Sequence, residues 1–205
     1  MLKRRRSSLG FSLVELMVVI AIVTMFLMAG APSFSTWMQN ARLRSSAESI
    51  VSGLQYARSE AVSRNARVRF QLVSSLDSGC AQSTSSPIWI VNLDPDAVDN
   101  EVDGRCDAAP SQTVMPRILQ KRESLSAASN MVVSTGGIST LVFNGLGRIT
   151  PVPAGTVNIN VTSSVSGACA ADGGSLTCLR IVVSPAGQVR MCNPKFAQTT
   201  DPQGC

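Results

Sequence analysis

The first 31 residues separate into a short charged block and a long apolar run. Residues 3–6 are all basic, and residues 11–31 are apolar except for Ser12, Glu15 and Thr24. A helix needs about 20 apolar residues to cross a bilayer, so this run is long enough to span one. Because basic residues favour the cytoplasmic side, the pattern predicts a transmembrane helix over 11–31 with the rest of the chain exported.

Beyond residue 31 the sequence becomes more polar but keeps a helical period. Apolar residues recur at steps of three and four, which predicts an amphipathic helix half over 32–65. These residues are Ala47, Ile50, Val51, Leu54, Ala57 and Ala61. Arg42, Arg44, Arg58 and Arg64 are expected on its solvated side. Pro32 should kink or locally melt the helix, and Gly53 should weaken its middle.

The period changes to two after residue 66. Val68, Phe70 and Leu72 alternate with polar residues, which predicts a half-buried strand whose Arg67, Arg69 and Gln71 side chains face solvent. Glycine and proline turns separate seven further predicted strands. They are residues 87–92, 116–121, 131–134, 140–144, 156–162, 177–184 and 188–192. One helix followed by many strands predicts an α+β fold, with residues 66–205 forming one β-rich domain packed on the helix.

Six cysteines lie beyond the apolar run. An even number on the exported side predicts disulfides, and the absence of histidine and of a Cys-x-x-Cys motif argues against zinc. Six cysteines allow 15 pairings. Closeness in sequence favours Cys80 with Cys106, Cys169 with Cys178, and Cys192 with Cys205. The last pair would close the C-terminal tail.

Charge is divided unevenly along the chain. Residues 42–70 carry six arginines against two glutamates, whereas residues 77–107 carry seven acids against one arginine. The segment that begins at Asp99 starts like a calcium loop, but Pro110 takes the place of its bidentate glutamate. We therefore expect residues 94–112 to form a solvated acidic loop without a metal. With no histidine base and no phosphate-binding glycine loop, the sequence predicts neither an enzyme nor a cofactor.

The segment from Gly10 to Leu16, GFSLVEL, resembles the processing site of type IV prepilins and type II secretion pseudopilins. The resemblance implies that residues 1–10 are a leader, cleaved between Gly10 and Phe11 by a prepilin peptidase, and that Phe11 becomes N-methylated. It also implies that the Glu15 carboxylate lies beside the terminal amine of a neighbouring subunit in a filament. Alternatively, Glu15 snorkels to the membrane interface.

Residues 89–94, 141–148 and 153–157 are similar to the strand and turn pattern of the GspH/FimT class of minor pilins and pseudopilins. Residues 187–194 resemble more narrowly its FimT and FimU branch. The class implies a type IV pilin fold, with a long N-terminal helix packed on an antiparallel sheet. In FimT-type DNA receptors an arginine lies two residues before the position of Arg190. Gln188 occupies that place here, which implies only weak binding to duplex DNA.

Three functions follow from the resemblance. The first is a minor pilin that joins other minor and major pilins at a pilus tip and initiates assembly for twitching or adhesion. The second is a DNA-binding minor pilin for transformation, whose phosphate contacts would be Arg148, Arg180, Arg190 and Lys195. The third is a GspH-like pseudopilin of a type II secretion system. Each implies a Gram-negative-type bacterium, with the chain anchored in inner-membrane lipid, its domain periplasmic, and, for a pilin, later export to the pilus.

Overall fold

The computed structural model of the chain describes residues 12–94, 102–122, 130–165 and 167–205, without the side chains of residues 28–33. Helix α1 spans Leu13–Arg64. It is helical without interruption through residue 32, so the expected local melting at Pro32 is wrong. The chain divides into two compact units, Met1–Met38 and Gln39–Cys205.

The N-terminal part of α1 is exposed from residue 12 to residue 27. Among the residues that the structure describes, no helix is both long and apolar enough to cross a membrane. The predicted transmembrane segment, 11–31, extends beyond that part of the chain. Residue 11 and the side chains of residues 28–31 lie outside it.

A left-handed residue ends the helix. Asn65 has a φ of 47°, and the amide of Ala66 donates to the Ala61 carbonyl at 3.1 Å. Asparagine tolerates this conformation because its short side chain can bond locally, and it is a common helix C-cap. The chain then reverses into the first strand.

The described residues contain eight strands in two antiparallel sheets of four. The strands are β1 (Val68–Val73), β2 (Ile88–Leu93), β3 (Ile118–Arg122), β4 (Met131–Ser134), β5 (Thr140–Phe143), β6 (Val157–Ser163), β7 (Leu179–Val183) and β8 (Val189–Cys192). Sheet 1 has the order β3-β2-β1-β5, and sheet 2 has the order β4-β6-β7-β8. The predicted α+β class, a long helix with an antiparallel β-sheet domain, is confirmed, and the strands of that domain are divided between two sheets.

One hydrophobic core joins the second half of α1 to both sheets. The predicted apolar face of the helix is confirmed, because five of its six residues are fully buried and Val51 is partly buried. These side chains pack with Phe70 and Trp89 of sheet 1 and with Ile159 and Ile181 of sheet 2. A single helix face therefore serves two sheets.

Sheet 1 is covered on its other face as well. Val73, Ile90 and Ile118 pack there with Val102 and the two cysteines of the first predicted disulfide. All six residues of β1 are consequently buried. The expected solvent exposure of Arg69 and Gln71 is wrong, because residues 102–108 lie over the face to which these side chains point.

Candidate functional site

The N-terminal half of α1 presents apolar side chains on all sides. Its large apolar residues from Leu13 to Leu27 are 49–77% exposed, and Glu15 is exposed among them. Gly10 and Phe11 lie outside the described residues. The cleavage site, the methylation of Phe11 and the pairing of Glu15 therefore stay predictions.

Sheet 2 brings two of the predicted DNA contacts to one face. In the β7–β8 register, Arg190 is opposite Val182 and Arg180 is opposite Cys192, so both arginines point to the same side. Their neighbour Ile181 points into the core and is fully buried. Arg180 and Arg190 therefore lie on the outer face of sheet 2.

Both guanidinium groups on this face bond to the chain itself. Arg180 Nε donates to Asn160 Oδ1 at 2.7 Å. Arg190 donates from Nη1 to the Gly204 carbonyl at 3.3 Å and from Nη2 to Gln198 Oε1 at 3.0 Å. These bonds use one N–H of Arg180 and two of Arg190, so each guanidinium has fewer of its five donors left for a phosphate.

The acceptors of Arg190 belong to a C-terminal tail, residues 193–205, that folds back on β8. Cys192 and Cys205 form a disulfide with Cα atoms 5.2 Å apart. The amide of Asn193 donates to the Gln203 carbonyl at 2.7 Å, and that of Cys205 to the Phe196 carbonyl at 3.0 Å. Arg190 is thus a structural support for the tail, a role that the sequence did not predict.

The remaining predicted cations lie elsewhere. Lys195 is exposed on the tail, with its Nζ 5.7 Å from the centre of the Phe196 ring. Arg148 is exposed in a turn after β5, where Asn144 Oδ1 accepts a bond from its backbone amide at 3.1 Å. The exposed Gln188 follows the turn of residues 184–187 and directly precedes β8.

That turn after β5 meets the turn before β8. A methyl group on Gly187, whose φ is +78°, would collide with the carbonyl of Gly147. Arg58 Nε donates to the same carbonyl at 3.2 Å. The expectation that Arg58 lies on a solvated helix face is therefore wrong, because its guanidinium caps a turn at which the two sheets meet.

Two acids of the predicted acidic loop, Asp94 and Asp103, bond to side chains of β1. Asp94 is buried, and its carboxylate accepts bonds from Arg69 Nη2 at 2.5 Å and Arg67 Nη2 at 2.8 Å. Asp103 accepts a bond from Gln71 Nε2 at 3.0 Å. Asp94 and Asp103 thus accept hydrogen bonds from Arg69 and Gln71, the two polar side chains of β1 that were not expected to be buried. Such burial requires a partner for each charge.

One disulfide and one lysine side chain hold residues 102–108 against sheet 1. Cys80 and Cys106 form a disulfide with Cα atoms 6.1 Å apart. Lys121 Nζ of β3 donates to three successive carbonyls, those of Cys106, Asp107 and Ala108, at 2.7, 3.0 and 3.0 Å.

Cys169 and Cys178 form the third disulfide, so the pairing is the sequential one that the sequence favours.

The calcium-like pattern is only partly described. Asp99 and Glu101 lie outside the described residues, and Asp103 bonds to Gln71. Within the described ranges, no three histidine, cysteine or acidic side chains are grouped to hold a metal ion.

Two parts of the chain match known protein families. Residues 46–187 match the family described as type II transport protein GspH, and residues 5–31 match the prokaryotic N-terminal methylation motif. The chain belongs to the GspH family. The GspH match covers residues 46–64 of α1 and seven strands, and it ends before β8 and the tail.

Solved structures of a minor pilin are similar to this GspH-family chain. Two crystal structures of the type IV minor pilin FimU from Pseudomonas aeruginosa align with it, at 19% and 18% sequence identity. Their TM-scores are 0.49 and 0.45, and the alignments cover 82% and 79% of this chain and 98% of each FimU chain. Among curated protein sequences, none matches.

Proposed function

We propose that the chain is a minor type IV pilin that a prepilin peptidase cleaves between Gly10 and Phe11. The mature subunit, N-methylated at Phe11, enters the tip of a pilus and initiates its assembly. The observation that carries this proposal is the exposed apolar helix of residues 12–27, which lies within the match to the methylation motif, residues 5–31. Water does not favour so large an apolar surface, so lipid covers it before assembly and neighbouring helices cover it in the filament.

Glu15 is the one acidic residue on that apolar surface. A carboxylate in an apolar filament core is costly unless a positive group pairs with it. The new terminal amine at Phe11 of a neighbouring subunit is such a group. In this proposal the pair orders the subunits, and an unpaired Glu15 disfavours any other register.

The tail supports a pilus over a secretion system. Residues 188–205 lie beyond the GspH match, and they include all but the first residue of the FimT- and FimU-like segment, 187–194, and the Cys192–Cys205 disulfide. The second candidate is a pseudopilin of a type II secretion system, which the description of the matching family favours. Deleting the gene distinguishes the two, because a minor pilin is required for pili and a pseudopilin for protein secretion.

Processing and assembly are tested with the full chain in its own host. Intact mass analysis of the membrane fraction is expected to show a mature start at N-methylated Phe11, and a start at Met1 would contradict the proposal. Glu15→Ala is expected to leave cleavage and export intact but to remove the subunit from sheared pili. Glu48→Ala is the matched control, because Glu48 is an exposed helix glutamate whose bond is to Arg44.

A further inference from the structure

Two aromatic side chains stand exposed where the apolar half of α1 ends. Phe34 and Trp37 are 59% and 66% exposed, and their ring centres lie 5.9 Å apart. Residues three apart lie on the same side of a helix, so the rings form one patch. The other tryptophan of the chain, Trp89, is fully buried in the core.

The patch lies at a defined distance along the helix. A rise of about 1.5 Å per residue puts Phe34 and Trp37 about 32 and 36 Å from Leu13 along the axis. The hydrocarbon core of a bilayer is about 30 Å thick, and the headgroup regions bring the total to about 40–45 Å. A helix that enters the core near Leu13 therefore carries both rings into the opposite headgroup region.

The chemistry of the patch fits that region. Tryptophan combines a large apolar ring with an N–H donor, and it is enriched where a membrane meets water. The sequence also changes character there, since Gln39, Asn40 and Arg42 follow within five residues. An aromatic patch between an apolar run and a polar run matches a lipid interface on both sides.

We propose that Phe34 and Trp37 bind the headgroup region of the outward-facing leaflet and fix the depth of α1 before the subunit enters a filament. This inference rests on the proposed membrane-anchored pilin. The basic residues 3–6 hold the opposite end of the helix until cleavage removes them. After cleavage the aromatic patch remains as an interfacial anchor at the outward-facing end of the apolar run.

The depth of Trp37 is measured with the full chain in phosphatidylcholine–phosphatidylglycerol vesicles. The vesicles contain lipids brominated either near the headgroup or near the chain end, because bromine quenches nearby indoles. Subtracting the emission of Trp37→Phe from that of the unmodified chain isolates Trp37, since there are two tryptophans. The Trp37 emission is expected to be lost with headgroup-proximal bromine and to persist with chain-end bromine.

The outcomes separate this inference from the function on which it rests. If the chain does not float with the vesicles, the membrane-anchored stage of the proposed function fails, and the anchor fails with it. If the chain floats but its Trp37 emission is unquenched, or quenched mainly from the chain end, the anchor alone is overturned and the patch is a contact with other subunits.

A paired substitution provides an independent readout. Phe34→Ser with Trp37→Ser is expected to lower the vesicle-bound fraction of the chain. Val62→Ser is the control, because Val62 is an apolar α1 residue that is 51% exposed beyond the apolar run. An equal loss from both variants, or none from the pair, would overturn the anchor.

Discussion

Gly53 of α1 lies against the indole ring of Trp89. A methyl group on Gly53 would be 2.8 Å from Cε2 of Trp89 and 2.9 Å from Cε2 of Phe70. Trp89 Nε1 also donates to Ser49 Oγ at 3.0 Å, one turn earlier on the helix. The glycine that weakens the helix locally thus allows β1 and β2 to approach it closely.

Gly53→Ala is therefore expected to destabilise the chain, although alanine is the better helix former by about 1 kcal/mol. Overpacking a filled core costs about 1–3 kcal/mol, which outweighs that gain. Denaturant unfolding in a Trp37→Phe background, in which the fluorescence comes from Trp89 alone, measures the change. Ser52→Ala, at the exposed neighbouring residue, should be neutral or slightly stabilising. A stabilised Gly53→Ala variant would show that the indole moves away easily.

The buried pair of Arg69 and Asp94 should behave differently from a surface pair. Asp94→Leu leaves Arg69 buried without its carboxylate and is expected to cost about 3–5 kcal/mol. Adding Arg69→Met should recover part of that loss. The exposed Arg44–Glu48 pair is the control, for which a double-mutant cycle should give at most about 1 kcal/mol. Additive losses at Arg69 and Asp94 would contradict the coupling.

The sequence predicted the strands better than their surroundings. All eight strand positions were predicted to within two residues, because alternation and turn residues are local signals. The burial of Arg69 was not predicted, since its partner Asp94 is 25 residues away and the residues covering it belong to an irregular segment. Charge segregation was the available signal: the basic segment 42–70 and the acidic segment 77–107 meet at this pair.

In the candidate site, too, local patterns were predictable and long-range contacts were not. Periodicity could place Arg180 and Arg190 on strands, but it could not show that Asn160 and the tail occupy their guanidinium groups. Likewise, the apolar face of α1 was predictable, whereas the role of Arg58 at Gly147 depends on a contact 89 residues apart.

Removing the tail disulfide should free the tail. Cys192→Ser with Cys205→Ser opens a closure with a sequence separation of 13, for which about 3 kcal/mol of stability is expected to be lost. Limited proteolysis should then cut within residues 193–205 before any other described part of the chain. Cys169→Ser with Cys178→Ser is the control and should leave the tail protected. A protected tail in the first variant would mean that Arg190 suffices to hold it.

Binding to duplex DNA is expected to be weak, about micromolar or weaker at physiological salt. Gln188→Arg adds a cation on the exposed side of β8, two residues from Arg190, and should tighten binding and steepen its salt dependence by about one unit. Arg190→Ala should abolish what remains. Gln55→Arg adds the same charge at an exposed helix residue and is the control. Tight binding by the unmodified chain would contradict the expectation of weak binding. Equal effects of Gln188→Arg and Gln55→Arg would show that DNA does not bind at residue 188.

The phenol of Tyr56 should lose its proton at a higher pH than a free tyrosine does. Burial away from water and then the Glu60 carboxylate raise the pKa of its phenol above the ordinary value of 10.0. The neutral phenol is thus favoured in the folded chain, so its contribution to stability is present below pH 10 and is lost as the pH rises through the raised pKa. Ultraviolet absorbance reports this directly, because Tyr56 is the single tyrosine.

Two comparisons test the cause of that shift. Glu60→Gln should lower the pKa of Tyr56 without restoring it fully, because burial is the larger cause. The urea-unfolded chain should titrate near 10. A folded chain with the same midpoint as the unfolded one would contradict the assignment.

The Cys192–Cys205 disulfide also decides how the subunit responds to mechanical load. A pull applied at Cys205 passes through the disulfide directly to Cys192 at the end of β8. The twelve intervening residues, 193–204, carry none of the tension, so the loop that they form cannot extend under load. A force that reaches the subunit through its tail is therefore resisted at once by the hydrogen bonds between β8 and β7.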